Sequence, residues 1–315
     1  MISAILGEVL ALAFVAGTSQ LAIATGVAYM LFPEMGALAY DTCKRPFGVW
    51  ASTPASLFLA PTVGACIGTA ISSGLPHGLP AAALCIAVSV GLLRLARSPV
   101  APAISAAYLP LSLGVKTWHY PMSIALVTGA LALLVVVRHG LSKIKTRPAS
   151  KRRGRDIDDV LESVPNRFGW TFAFGTFLLL AYAMAHMSGL PFILFPPLVV
   201  IAYEMLAHSE VCPWARRPRT LPIACTLGAA IGAVSVLWWG IGPLSVVISL
   251  GAGIATLRAL KLHMPPVLGI SLLPQVIPHV NWEFVLAVAI GTGTLTGFFL
   301  VVRPFLLSAP PARSW

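Results

Sequence analysis

The sequence is poor in charge, and poorest in acid. Only 10% of its 315 residues are charged, with 10 Asp and Glu against 21 Lys and Arg. A soluble domain carries about 25% charged residues, so too few remain here to solvate the surface of a soluble globule. Cysteine is scarce as well: Cys43, Cys66, Cys85, Cys212 and Cys225 form an odd set with no CxxC pair. That argues against a disulfide framework or a zinc site, and lone thiols in membrane helices behave as small apolar residues. Strand-type alternation is missing, which argues against a β-barrel. There is no nucleophile elbow, HExxH, P-loop or tight carboxylate cluster, so no enzyme, metal or cofactor is expected. The acids Asp156, Asp158, Asp159 and Glu162 read as a solvated amphipathic turn. The N-terminus lacks a basic n-region and carries Glu8, which argues against a cleaved signal peptide.

What is present is apolar. Hydrophobic residues make up 57% of the chain and mean hydropathy is +0.87. The 26 prolines and 27 glycines lie inside and between the apolar runs, as in broken or tightly packed membrane helices. The expected fold class is therefore an all-α polytopic membrane protein. Its solvent is the lipid bilayer, and the bacterial inner (plasma) membrane is its expected location. The net charge of +11 is concentrated at Lys143, Lys145, Arg147, Lys151, Arg152, Arg153 and Arg155. Such a run can bind anionic lipid or nucleic acid. Lying between two apolar blocks, it reads better as a positive-inside topology signal, and no nucleic-acid partner is expected.

The chain repeats itself. LFPEMGALAYD from Leu31 matches LFPPLVVIAYE from Leu194, so that Leu31, Phe32, Pro33, Ala39 and Tyr40 recur 163 positions later and Asp41 recurs as Glu204. At an offset of 164, Trp50 pairs with Trp214, Pro54 with Pro218, Gly64 with Gly228, Gly68 with Gly232, Arg94 with Arg258, Pro102 with Pro266, Pro110 with Pro274 and Trp118 with Trp282. Rare residues at a nearly constant offset mark a tandem duplication. The organisation is a first transmembrane repeat at 1–140, a basic cytoplasmic linker at 141–167, a second repeat at 168–304 and a C-terminal tail at 305–315.

Each repeat divides into six apolar stretches. They lie near 5–24, 27–41, 56–74, 79–97, 99–115 and 119–138, and near 169–187, 190–206, 221–239, 242–261, 264–280 and 283–302. A spanning helix needs about 20 residues. The second and fifth stretches are short and interrupted by Pro or Gly, and could span, break or re-enter, giving 10–12 transmembrane helices. If all six span, Lys44, Arg45, Arg94, Arg97, Arg216, Arg217, Arg219, Arg258, Lys261 and Arg303 fall on the side of the linker, with Lys116 opposite. This obeys the orientation rule best. It places both termini in the cytoplasm and relates the repeats by rotation about the membrane normal.

Several residues stand out. Asp41 with Arg94, and Glu204 with Arg258, are duplicated charges that could form structural ion pairs or a gate. The GxxxG pairs Gly64/Gly68 and Gly228/Gly232 permit close backbone approach, and one arrangement packs the two third helices on each other. Glu34 follows Pro33 in the second stretch, where the other repeat has Pro197. It is either an intramembrane carboxyl with a proton-coupling role or an interfacial one. The fifth stretches read LLRLARSPVAPAISAAYLPLSLGV and LRALKLHMPPVLGISLLPQVIP. In each a basic helix end is followed by a proline break and a new helix start. The candidate substrate site is therefore Arg97, Pro99 and Pro102 with Arg258, Lys261, His263, Pro265 and Pro266, plus Glu34. Helix N-termini favour anions there, and paired broken segments point to a substrate site. Alternatively, the prolines only permit tight packing, and His263 is an interfacial residue.

LKLHMPPVLGISLLP resembles the motif of the HPP family of membrane proteins: a basic residue, His-Pro-Pro, then small residues. Here Met264 is inserted between His263 and Pro265, and the first repeat reads Ser98-Pro99-Val100-Ala101-Pro102. Phe32 to Ala39 is similar to the family's Gly-Ala-rich upstream helix. The resemblance covers both halves and implies transport of a small, nitrite-like anion. The expected function is thus a transporter or channel for a small anion; a non-transporting scaffold or sensor is the alternative. A homo-oligomer is compatible with either.

Overall fold

A computed structural model of the chain describes residues 2–141 and 169–308. The basic cluster of the linker, its acids and the tail beyond residue 308 lie outside the described residues. The described chain is helical and contains no strand. Its first part runs α1 (Ile2–Thr25), α2 (Met35–Lys44), α3 (Val49–Ser52), α4 (Pro54–Gly74), α5 (Leu79–Leu95), α6 (Pro102–Leu113) and α7 (His119–Leu141). Its second part runs α8 (Gly169–Ser188), α9 (Pro196–Ala207), α10 (Pro213–Arg216), α11 (Thr220–Trp239), α12 (Pro243–Ala259), α13 (Pro266–Leu272) and α14 (Trp282–Ser308). A short 3₁₀ turn precedes α2 at Ala28–Met30 and α9 at Pro191–Leu194. The order of long and short helices is the same in both parts.

Six of these helices are long and apolar enough to cross a membrane: α1, α4, α7, α8, α11 and α14. They turn apolar residues outward, among them Leu133, Phe172 and Val301, as an integral membrane protein does where lipid replaces water. α5 and α12, with 17 residues each, sit at the lower limit of a span. The other apolar helices are half-length. α2 has 10 residues, α6 and α9 have 12, and α13 has 7 before a 3₁₀ turn at Leu273–Gln275. At 1.5 Å per residue such helices reach about 15–18 Å, against roughly 30 Å of hydrocarbon. These short helices form the centre: 35–43, 102–111, 196–206 and 266–275 are buried without interruption. Proline opens α6, α9 and α13, where the missing N–H costs nothing.

Polar contacts sort the helix ends. At one end Arg138 donates to the Cys43 carbonyl at 2.6 Å, a His139 ring nitrogen lies 2.6 Å from the Pro46 carbonyl, and Trp50 Nε1 donates to the Pro99 carbonyl at 2.9 Å. Lys44 and Arg258 join this end by pairing with Glu8; it is called the basic end below. At the opposite end Ser73 donates to the Lys116 carbonyl at 3.0 Å.

The two halves interlock. α1 packs on α12 and α8 on α5; α2 packs on α13 and α9 on α6. The GxxxG expectation is corrected here. Gly64 and Gly68 do not face the corresponding helix of the other half but α6 of their own. A Cβ at Gly64 would lie 2.5 Å from the Ala103 carbonyl, and one at Gly68 would collide with the Ala107 carbonyl. Gly228 and Gly232 likewise receive α13 at Val267 and Ser271. The small residues exist to admit the half-helix that follows the proline break.

Candidate functional site

The proline breaks lie deep. Gly64, which meets Ala103, is ten residues into the 21-residue α4, about 15 Å from its start. α6 therefore begins near the middle of the bundle and runs toward the end opposite the basic one. α13 repeats this against Gly228, eight residues into the 20-residue α11. α2 begins at a comparable depth and runs the other way: Gly36 packs on Leu268 and Leu272 of α13, whereas Gly7 near the start of α1 packs on Cys43 and Lys44 at the basic end. Half-helices of opposite direction thus start at mid-depth.

Glu34 stands at that level. The chain leaves α1 through Gly26 in the left-handed region (φ +70°), makes its 3₁₀ turn and enters α2 with Glu34 as N-cap. Glu34 is 0% exposed, and neither carboxyl oxygen has a hydrogen-bond partner. The Ser105 hydroxyl of α6 stands beside the carboxyl and interacts with it. On the other side is the backbone of α13, where a Cβ at Gly269 would lie 2.7 Å from Oε2. The space for the carboxyl exists because residue 269 is glycine. Tyr120, whose hydroxyl donates to the Ala106 carbonyl at 2.7 Å, is a further electrostatic neighbour.

Glu204 of α9 is also buried, and its Oε2 lacks a hydrogen-bond partner. Glu34 acts on it electrostatically. α9 packs against both α6 and α13, joining the two proline breaks.

The expected residues divide. Pro102, Pro265 and Pro266 are buried at the half-helix starts, Pro99 is half-buried and accepts the Trp50 hydrogen bond, and His263 is half-buried. Arg97 and Lys261 are exposed at the basic end. Both are left-handed, with φ of 49° and 50°. Each closes its helix in the same way: Ser98 N–H bonds the Leu93 carbonyl and Arg97 N–H that of Arg94, and Leu262 and Lys261 do so with Leu257 and Arg258. This is the Schellman end normally given to glycine. Arg258 pairs with Glu8, not with Glu204. Burial separates the expected partners: Glu204 lies in the interior while the Arg258 side chain is 58% exposed. Asp41 pairs with Arg45 at 2.7 Å, one turn along α2, and Arg94 lies over the Trp170 ring at 5.2 Å.

Two features escaped sequence reasoning. Glu8 ties Lys44 of the first half to Arg258 of the second, and nothing local announces a partner 250 positions away. A cavity of about 400 Å³ opens at the end opposite the basic one, between α5, α6 and α8. Its signal was a set of sparse polar residues in apolar runs, but these come from both halves. Among the described residues no group of three or more His, Cys, Asp or Glu could hold a metal ion. No family model, curated protein or solved structure matches this chain.

Proposed function

We propose that this chain is a transporter for a small anion, with Glu34 as its proton-carrying group at the centre of two tandem repeats. The observation that carries the reading is the fully buried Glu34 carboxyl at the level where half-helices from both halves begin. A buried carboxyl is costly in hydrocarbon, and its retention there has a ready purpose in taking up and releasing a proton. Broken helices at membrane depth are tolerated where protein buries them or they line a cavity, and paired breaks in two halves point to a transport site. Their N-termini favour negative charge, and the HPP-like segment around His263 agrees with a nitrite-like substrate.

In this reading each repeat crosses the membrane six times, with α2, α6, α9 and α13 completed by extended chain. The repeats are related about the membrane normal, and the linker and both termini are cytoplasmic. The shared order of elements and the common glycine contacts support the duplication. The test is nitrite uptake into proteoliposomes. Glu34→Gln should lower the initial rate by about tenfold or more at equal reconstitution, and an unchanged rate rejects the reading.

A further inference from the structure

The cavity opposite the basic end has a lining that the fold alone does not require. Its floor is Tyr108 and Ser112 of α6, and its rim is His77, Tyr182 and His186. Tyr108 is buried, Ser112 half-buried, and the two histidines are exposed. The Tyr182 and His186 rings stack at 6.4 Å. None of the lining residues is Asp, Glu, Lys or Arg. The polar groups are imidazole, phenol and hydroxyl, each able to donate a hydrogen bond.

The other half provides an internal control. At the offsets of 163 and 164, His77 becomes Ile241, Tyr108 becomes Leu272, Ser112 becomes Val276 and His186 becomes Ile23. There Ile23 packs against Gly242, and Gln275 fills the space, accepting from the Gly242 N–H and bonding with Ser245. The same corner of the second half thus carries Ile23, Ile241, Leu272 and Val276 around the buried Gln275–Ser245 pair. In the first half it is open and lined with donors.

The α6 face that lines the cavity continues to Ser105 beside Glu34. Ser105, Tyr108 and Ser112 stand at i, i+3 and i+7 of α6, a single helix face. That face carries polar groups from the cavity floor at Ser112 and Tyr108 to Ser105 beside Glu34. We infer that this cavity is the entry subsite for a small monovalent anion, which it binds through donors from both halves before the anion reaches the level of Glu34. The inference rests on the transport reading. It adds the place and chemistry of entry, and it makes the route single despite the duplicated fold.

The test is calorimetric titration of the purified full-length chain in nanodiscs with sodium nitrite, and separately with methylammonium gluconate. His77→Leu with His186→Leu, which removes two donors, should weaken nitrite binding by roughly tenfold or more. The milder Ser112→Ala and Tyr182→Phe variants should each weaken it by about threefold, which keeps the test open if the double variant fails to fold. Nitrite affinity unchanged in the folded cavity variants, or methylammonium binding in place of nitrite, overturns the inference. Uptake by Glu34→Gln is the separate measure of the central reading. If only the cavity variants are silent, the entry subsite falls while the transport reading stands.

Discussion

At the residue scale a small side chain stands beside a carboxyl. Gly269 leaves room for the Glu34 carboxyl, since a Cβ would stand 2.7 Å from Oε2. Gly269→Ala should therefore displace the end of a flexible side chain rather than the backbone. The expected outcome is folded protein, within about 1 kcal/mol of wild type, whose nitrite uptake is impaired nearly as far as in Glu34→Gln. Uptake at the wild-type rate would mean that the carboxyl position is immaterial. Lys261 gives a prediction of the opposite sign. It occupies a left-handed helix end at φ 50°, where a residue with a Cβ costs about 1–2 kcal/mol. Lys261→Gly should raise the thermal midpoint of the detergent-solubilised protein, and a lowered midpoint would show that the side chain contributes more than the strain it causes.

The ion pairs belong to the same scale. Arg258 meets Glu8 across the halves, and its side chain is 58% exposed. A pair of that exposure is worth about 0–1 kcal/mol, so its role is to register α1 against α12 more than to stabilise the whole. Glu8→Arg with Arg258→Glu should restore any uptake lost in the single variants, whereas Glu204→Arg with Arg258→Glu should not. Rescue by the second combination alone would refute the observed pairing.

At the element scale the half-helices are the organising feature. α6 and α13 reach the centre because glycines of α4 and α11 let their backbones in. A Cβ at Gly68 would collide with the Ala107 carbonyl, and backbone cannot yield as a side chain tip does. Gly68→Ala should thus cost about 1–3 kcal/mol and be read as a lowered thermal midpoint, in contrast to Gly129→Ala, which meets only the Phe58 ring at 3.4 Å. Much of this level was legible in the sequence. Pro102 and Pro266 marked the helix starts, since proline is best tolerated in a first turn. The repeated glycines marked a close approach. The partner was not legible, because a spacing of four says that a face is small but not which element lies on it.

At the scale of the whole molecule, scarcity of charge was enough to expect a helical membrane protein. The six long apolar helices carry that expectation in the structure. The depth of Glu34 was not legible, because a ten-residue helix preceded by irregular chain can start at the surface or at mid-depth. Contacts with Gly269 and Ser105, far away in sequence, place it inside. The cavity was hidden for the same reason: His77 and Tyr108 belong to one half, Tyr182 and His186 to the other.

Whether Glu34 carries a proton with the anion is read from proton flux in proteoliposomes loaded with a pH-sensitive dye at neutral pH. Nitrite added outside should acidify the lumen faster with the wild-type chain than in protein-free liposomes, and Glu34→Gln should fall to the protein-free rate. Acidification by Glu34→Gln equal to that of the wild type would contradict the account.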